Sequence, residues 1–201
     1  MNKNIQIEVK SIPKWNTILE SNISYDNWKY IFNIAIKAIE DNTFKWFQYK
    51  ILHRILGTKS LTFKMGLTQT NLCGLCHTSE ETLIHLFTEC NRSNIVWASL
   101  ANEINTICNL NITIDQIEKL FGYQNNTSFA DALNTILTIM RYYIFVKSKS
   151  QGTLFMSEYK RLLKRVYVEQ QLLSQLNNKN EIFKKKWLKL ANYITPTPAE
   201  Q

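Results

Sequence analysis

The chain has 201 residues, 45% of them hydrophobic and 20% charged, with five Gly, three Pro and a formal net charge of +8. That balance excludes a disordered chain, and so few turn residues argue against an all-β fold. No apolar run approaches the roughly 18 residues of a membrane span.

The N-terminal stretch MNKNIQIEVKSIPKW has no apolar core of the secretory kind. An intracellular protein is therefore expected, in the nucleus or cytoplasm, with its cysteines reduced. Triplets such as Asn22-Ile23-Ser24 and Asn91-Arg92-Ser93 then read as composition rather than as glycosylation sites.

Helical periodicity dominates the rest. Ser24 can cap a helix carrying Trp28, Phe32, Ile36 and Ile39. Thr43 can cap the next, with Phe44, Phe47, Ile51 and Ile55, closed by Gly57. A short helix near 60–65 would end at Gly66, and an irregular loop follows over 67–78. Val96, Leu100, Ile104 and Ile107 mark a longer helix, and Asp115 starts a short one that stops at Gly122. A short strand around Ile112–Ile114 is the one candidate for β structure. Residues 128–149 form a strongly apolar helix with Leu133, Ile136, Leu137, Met140 and Ile144 in its stripe. Helices over 154–176 and 180–193 follow.

The expected fold is all-α. Trp15, Trp28, Trp46, Trp97 and Trp187 are spread along the chain, and such bulky rings usually bury large areas. They imply one connected core, or two packed helical subdomains with a seam near residue 125. The divisions are a helical region 1–125 containing a knuckle at 67–97, a basic helical region 126–194, and a loose tail 195–201.

Three of the four cysteines and two of the three histidines fall in CGLCHTSEETLIHLFTEC, residues 73–90. The spacing is Cys73-x2-Cys76-x8-His85-x4-Cys90. Two cysteines two apart make a tight turn that aims both thiolates at one point, and Gly74 eases that turn. Thr78 and Glu81 form a capping box, so a helix is expected to start there. On that helix Leu83, Leu86 and Phe87 share one side and His85 points to the other. Cys90 falls just past its end. Cys73, Cys76, His85 and Cys90 can then close a zinc tetrahedron, a full shell with no open position, hence structural rather than catalytic. The competing readings are buried or chance cysteines, and His77 in place of His85. Cys108 reads as a small buried hydrophobe and His53 as a packed histidine.

The stretch FQYKILHRILGTKSLTFKMGLTQTNLCGLCHTSEETLIHLFTECNRSNIVW, residues 47–97, resembles the zinc-binding region that follows the polymerase in non-LTR (LINE-type) retrotransposon reverse transcriptases. The resemblance rests on Arg54, Thr58, Leu61, Gly66, Cys73, Cys76, Glu81, Thr82, His85, Leu86, Phe87, Cys90 and Trp97. ILTIMRYYIF at 136–145 resembles the family's apolar helix ending in a basic residue and an aromatic pair. The resemblance implies the zinc ligands Cys73, Cys76, His85 and Cys90, and a module that holds template RNA or target DNA near the polymerase during target-primed reverse transcription. The reverse transcriptase core of the same polyprotein is the implied protein partner. No paired-aspartate polymerase motif and no endonuclease constellation occur in the chain, so no enzyme activity, membrane or small-molecule substrate is expected. The chain would be a fragment, a degraded copy or a stand-alone derivative.

Charge supports a polyanionic partner. Residues 1–140 carry 12 Lys+Arg and 12 Asp+Glu, whereas residues 141–201 carry 12 and 4, so the whole excess lies in the last third. On the helix over 154–176, Lys160, Arg161, Lys164 and Arg165 form one arc. Phe155, Tyr159, Leu162, Leu163, Val166 and Leu173 form the other. With Lys184, Lys185 and Lys186 these are the candidate phosphate contacts. Tyr142, Tyr143 and Tyr167 can stack bases or simply pack. The alternative to nucleic-acid binding is a protein-interaction module that docks the polymerase or a partner helix. Catalysis through Cys108 or the metal has no visible base and no open coordination.

Overall fold

The computed structural model describes residues 9–195. The helices are α1 (Ser11–Ile18), α2 (Tyr25–Lys37), α3 (Asn42–Leu52), α4 (Lys59–Lys64), α5 (Asn91–Cys108), α6 (Gln116–Phe121), α7 (Ala130–Lys149), α8 (Met156–Leu176), α9 (Asn180–Trp187) and α10 (Ala191–Ile194), with a π-helical turn at His85–Glu89 before α5. Pairing of β type among the described residues is limited to one isolated bridge, Leu72 with Glu80. The fold is all-α, as the periodicity predicts.

Local signals set several boundaries. Ser24 caps α2 by accepting from the Asn27 N–H, and Asp115 with Glu118 makes a reciprocal capping box on α6. Others differ from expectation. Asp41, not Thr43, caps α3, which ends at Leu52; Arg54 then turns the chain with φ 60° and leaves Ile55 exposed. In α2 the buried side is Trp28, Ile31, Ile34 and Ala35, while Ile36 faces out. The last expected helix breaks at Leu188–Leu190 into α9 and α10. No strand forms at 112–114, because the Asn105 side chain takes the place of a neighbouring strand. It accepts from the Ile112 N–H at 2.8 Å and donates to the Ile112 carbonyl at 2.9 Å. The helix α1 had no counterpart in the expected elements. Pro13 sits in its first turn, where a missing N–H costs little, and Trp15 buries itself with its indole N–H donating to the Leu52 carbonyl at 2.9 Å. Of the tail, residues 196–201 lie outside the described residues.

The helix α7 runs through the middle of the fold, packed by α2, α3, α6, α8, α9 and the π-helical turn. Its expected stripe is fully buried, and so is almost every other side, so one hydrophobic cluster joins residues from Trp15 to Ile194. Trp46 is the exception among the tryptophans: 60% exposed, against 1% for each of the other four.

Arg141 lies inside this core with no exposure. Its guanidinium donates to Gln48 Oε1 at 3.3 Å, Thr138 Oγ1 at 3.0 Å and the Glu118 carbonyl at 3.1 Å. It thereby ties α3 and the last turn of α6 to α7. Burial without a carboxylate partner pushes it down to about 9. Arg141→Ala leaves the Gln48 side-chain oxygen buried and unpaired, while the Glu118 carbonyl keeps only the Gly122 N–H at 3.0 Å. A loss of about 2–4 kcal/mol in urea denaturation is expected.

Candidate metal centre

The centre is built from a hairpin-like knuckle and a helix end. Asn71–Cys73 runs antiparallel to Ser79–Glu81: the Cys73 N–H donates to the Ser79 carbonyl at 2.7 Å and the Glu81 N–H to the Asn71 carbonyl at 2.8 Å. Between them the chain turns tightly, closed by the His77 N–H donating to the Cys73 carbonyl at 2.9 Å with His77 at φ 59°. Gly74 is required here by close approach. A Cβ on it would collide with the backbone carbonyl of Ser148, at the end of α7.

The expected capping box does not form. Residues 78–81 stay in the knuckle, and Thr82 caps the following turn by accepting from the His85 N–H at 3.0 Å. The Thr78 hydroxyl instead donates to Cys76 Sγ at 3.3 Å. The turn is of π type: the Cys90 N–H donates to the His85 carbonyl, five residues back, at 2.7 Å. In an α-helix residues five apart would point about 140° from each other, at roughly 100° per residue. The π winding stacks Cys90 over His85 and brings both side chains to one side. Trp97 supports the turn, its indole N–H donating to the Phe87 carbonyl at 2.9 Å.

Cys73, Cys76, His85 and Cys90 converge, with their donor atoms all within 4.8 Å of one another. Cys73 Sγ lies 4.0 Å from Cys90 Sγ, and Cys76 Sγ lies 3.3 Å from His85 Nε2. A tetrahedron with metal–sulfur bonds of about 2.3 Å has edges of about 3.8 Å, so these separations suit one ion. They do not suit a disulfide, whose sulfurs bond at about 2.05 Å; all four cysteines are free thiols. Cys73 and Cys90 are fully buried, and His85 is buried as well. His85 Nδ1 points to Glu89, 3.9 Å away, on the side opposite Cys76. His77 is exposed on the turn and outside the cluster.

Two of the three thiols, Cys90 and Cys76, are eased toward deprotonation. The hydrogen bond from Cys73, outweighing burial, holds Cys90 down at about 5, helped by the Ser93 and Arg92 N–H groups at the start of α5. The same hydrogen bond, together with burial, pushes Cys73 up. For Cys76 burial acts upward, but the Thr78 hydroxyl and N–H, the Ser79 N–H and His85 outweigh it, giving about 7.

Glu81 is the residue that sequence reasoning misassigned. Its side chain is wholly buried and faces four donors: the Lys59 N–H at 2.9 Å, the Gly74 N–H at 2.9 Å, the Ser148 hydroxyl, and the Lys149 ammonium at 3.6 Å. It joins the start of α4, the cysteine turn and the end of α7. The signal available in the sequence, T-x-x-E, also fits a cap, and only the fold chooses between the two.

The other candidate residues lie away from the centre. Lys160, Arg161, Lys164 and Arg165 are exposed on α8, and Lys184 and Lys185 on α9. Three of these are paired: Lys160 with Glu103 at 2.9 Å, Arg165 with Glu169 at 3.6 Å, and Lys184 with Glu181 at 2.9 Å. Lys186 turns inward, donating to the Ala38 carbonyl at 3.1 Å, and burial lowers it to about 8. Tyr143 and Tyr167 are buried, and Tyr142 packs edge-on against Phe44 and Phe47, so all three tyrosines pack. His53 packs too, with its ring 4.1 Å from Tyr49. Cys108 is half-buried against the core, and burial raises its thiol.

No helix among the described residues is long and apolar enough to cross a membrane. A comparison with curated proteins found no match. A family model does match, over residues 9–97, a stretch that contains all four converging side chains and the Trp97 brace. That family is described as zinc-binding in reverse transcriptase, and its domains are non-catalytic. Residues 9–97 thus carry a domain of the zinc-binding family of reverse transcriptases, and with its Cys3His cluster that domain is a non-catalytic, zinc-associated helical module.

Proposed function

We propose that Cys73, Cys76, His85 and Cys90 hold one zinc ion in a closed structural site, and that the module so stabilised holds template RNA or target DNA for a LINE-type reverse transcriptase. The convergence of three sulfurs and one imidazole nitrogen within 4.8 Å carries the reading. A soft thiolate-rich tetrahedron suits zinc, and four protein ligands leave no place for a reacting water. The ion pins the cysteine turn to the start of α5, and the basic region 126–194 supplies phosphate contacts. Arg161, Lys164 and Lys185 suit that role best: they are exposed and make no ion pair among the described residues. Such a module works in the nucleus or cytoplasm, beside the polymerase of the same polyprotein.

Two measurements test this. Native mass spectrometry should give a mass for one bound zinc per chain. Affinity for single-stranded RNA should fall steeply with salt, as phosphate contacts require, with a slope of about 0.7 per contact. A metal-free native protein sinks the first half. Binding indifferent to salt sinks the second.

One observation favours a protein-docking role in addition. Val168, Leu172 and Leu176 recur every four residues on the far half of α8 and are 39%, 53% and 80% exposed. An apolar row of that spacing suits a partner helix or the polymerase core. Pull-down of the polymerase by the module, lost on Leu172→Glu, would support it.

A further inference from the structure

Trp46 is the one tryptophan that the core does not use. It forms a wall of a groove of about 490 Å³ between α3 and α7, whose floor is Phe47, Tyr142 and Phe145. This is within the range of about 300–1,000 Å³ typical of small-molecule sites. Tyr49 braces the indole edge-on, with centroids 5.1 Å apart and planes at 85°, and Trp46 remains 60% exposed. Lys50 lines the same groove, and no carboxylate does. Lys50 makes no ion pair among the described residues.

We infer that this groove receives an unpaired base of a single-stranded polynucleotide, stacked on Trp46 and flanked by a phosphate held on Lys50. The inference rests on the nucleic-acid reading above and names the place where a base sits. Its physical grounds are an exposed π face, an aromatic floor and uncompensated positive charge. This is the combination that single-strand binders use, because every base has a π face and every linkage a charge. A partner helix would need a longer trough, with anchor positions a turn or more apart, and the exposed row on α8 offers that instead.

The test uses the full chain with its metal, and short oligoadenylate as RNA and as DNA. Because the other four tryptophans are buried, ligand quenching of the solvent-exposed emission reports Trp46. The expected result is quenching on binding, with Trp46→Leu weakening affinity about 5- to 150-fold at an unchanged melting temperature and zinc content. Lys50→Gln should lower the salt slope by about 0.7. Trp46→Leu binding as tightly as wild type would overturn the groove and leave the nucleic-acid role standing. Equal quenching by a base-paired duplex would also overturn it, because paired bases present no free face. If neither oligonucleotide binds wild type, the nucleic-acid reading falls and the groove with it.

Discussion

Removing the metal, by chelation or by Cys73→Ala, is expected to abolish the cooperative unfolding transition of this protein. A Cys/His zinc site contributes about 10–16 kcal/mol apparent in small peptides, against about 5–15 kcal/mol for the whole stability of a typical domain. The geometry explains why so much depends on it. Residues 65–82 hold one isolated β bridge and no helix, so the knuckle has no regular element to keep its shape. Cys90, at the start of α5, and the fully buried Leu86 and Phe87 join the knuckle to the core. Without the ion, Cys73 and Cys90 are two buried thiols joined only by a weak sulfur hydrogen bond. Circular dichroism through a thermal ramp, with and without chelator, is the measurement. A chelated protein melting at the same temperature, with the same sharpness, would show that the ion stabilises nothing.

Glu81→Gln is expected to cost about 2–4 kcal/mol and to weaken metal binding about 10- to 100-fold. The two oxygens of Glu81 accept from the Lys59 and Gly74 N–H groups, one each. An amide keeps only one oxygen, so one buried N–H faces an NH₂ group and loses its partner. The loss of charge also leaves Lys149 unpaired. Since the Gly74 N–H lies next to Cys73, loosening it loosens the cysteine turn. Urea denaturation reads the first effect and competition with a zinc chelator the second. A variant less stable but unchanged in metal affinity would make Glu81 a packing residue only.

The legible parts of this protein are those where chemistry is local. Ser24 and Asp115 capped helices as their side chains predict, because a cap satisfies backbone groups two or three residues away. The four side chains at 73, 76, 85 and 90 were legible from spacing, since a two-residue separation fixes a turn whatever surrounds it. The T-x-x-E signal misled for the opposite reason. Thr78 and Glu81 had alternatives that lie far away in sequence: a thiol for one, and Lys59, Ser148 and Lys149 for the other. Lys186 belongs to the same class, because its ammonium finds the Ala38 carbonyl 148 positions upstream.

Sequence by itself determined that the chain is helical, that three cysteines and a histidine share a site, and that its net charge is gathered in the last third. Each follows from periodicity, spacing or counting. Tertiary structure alone decided that His85 and Cys90 meet through a π turn, that Glu81 leaves its cap, that Arg141 is buried, and that Trp46 is left outside. Each of those is a competition for hydrogen bonds or burial between residues distant in the chain, and packing settles it.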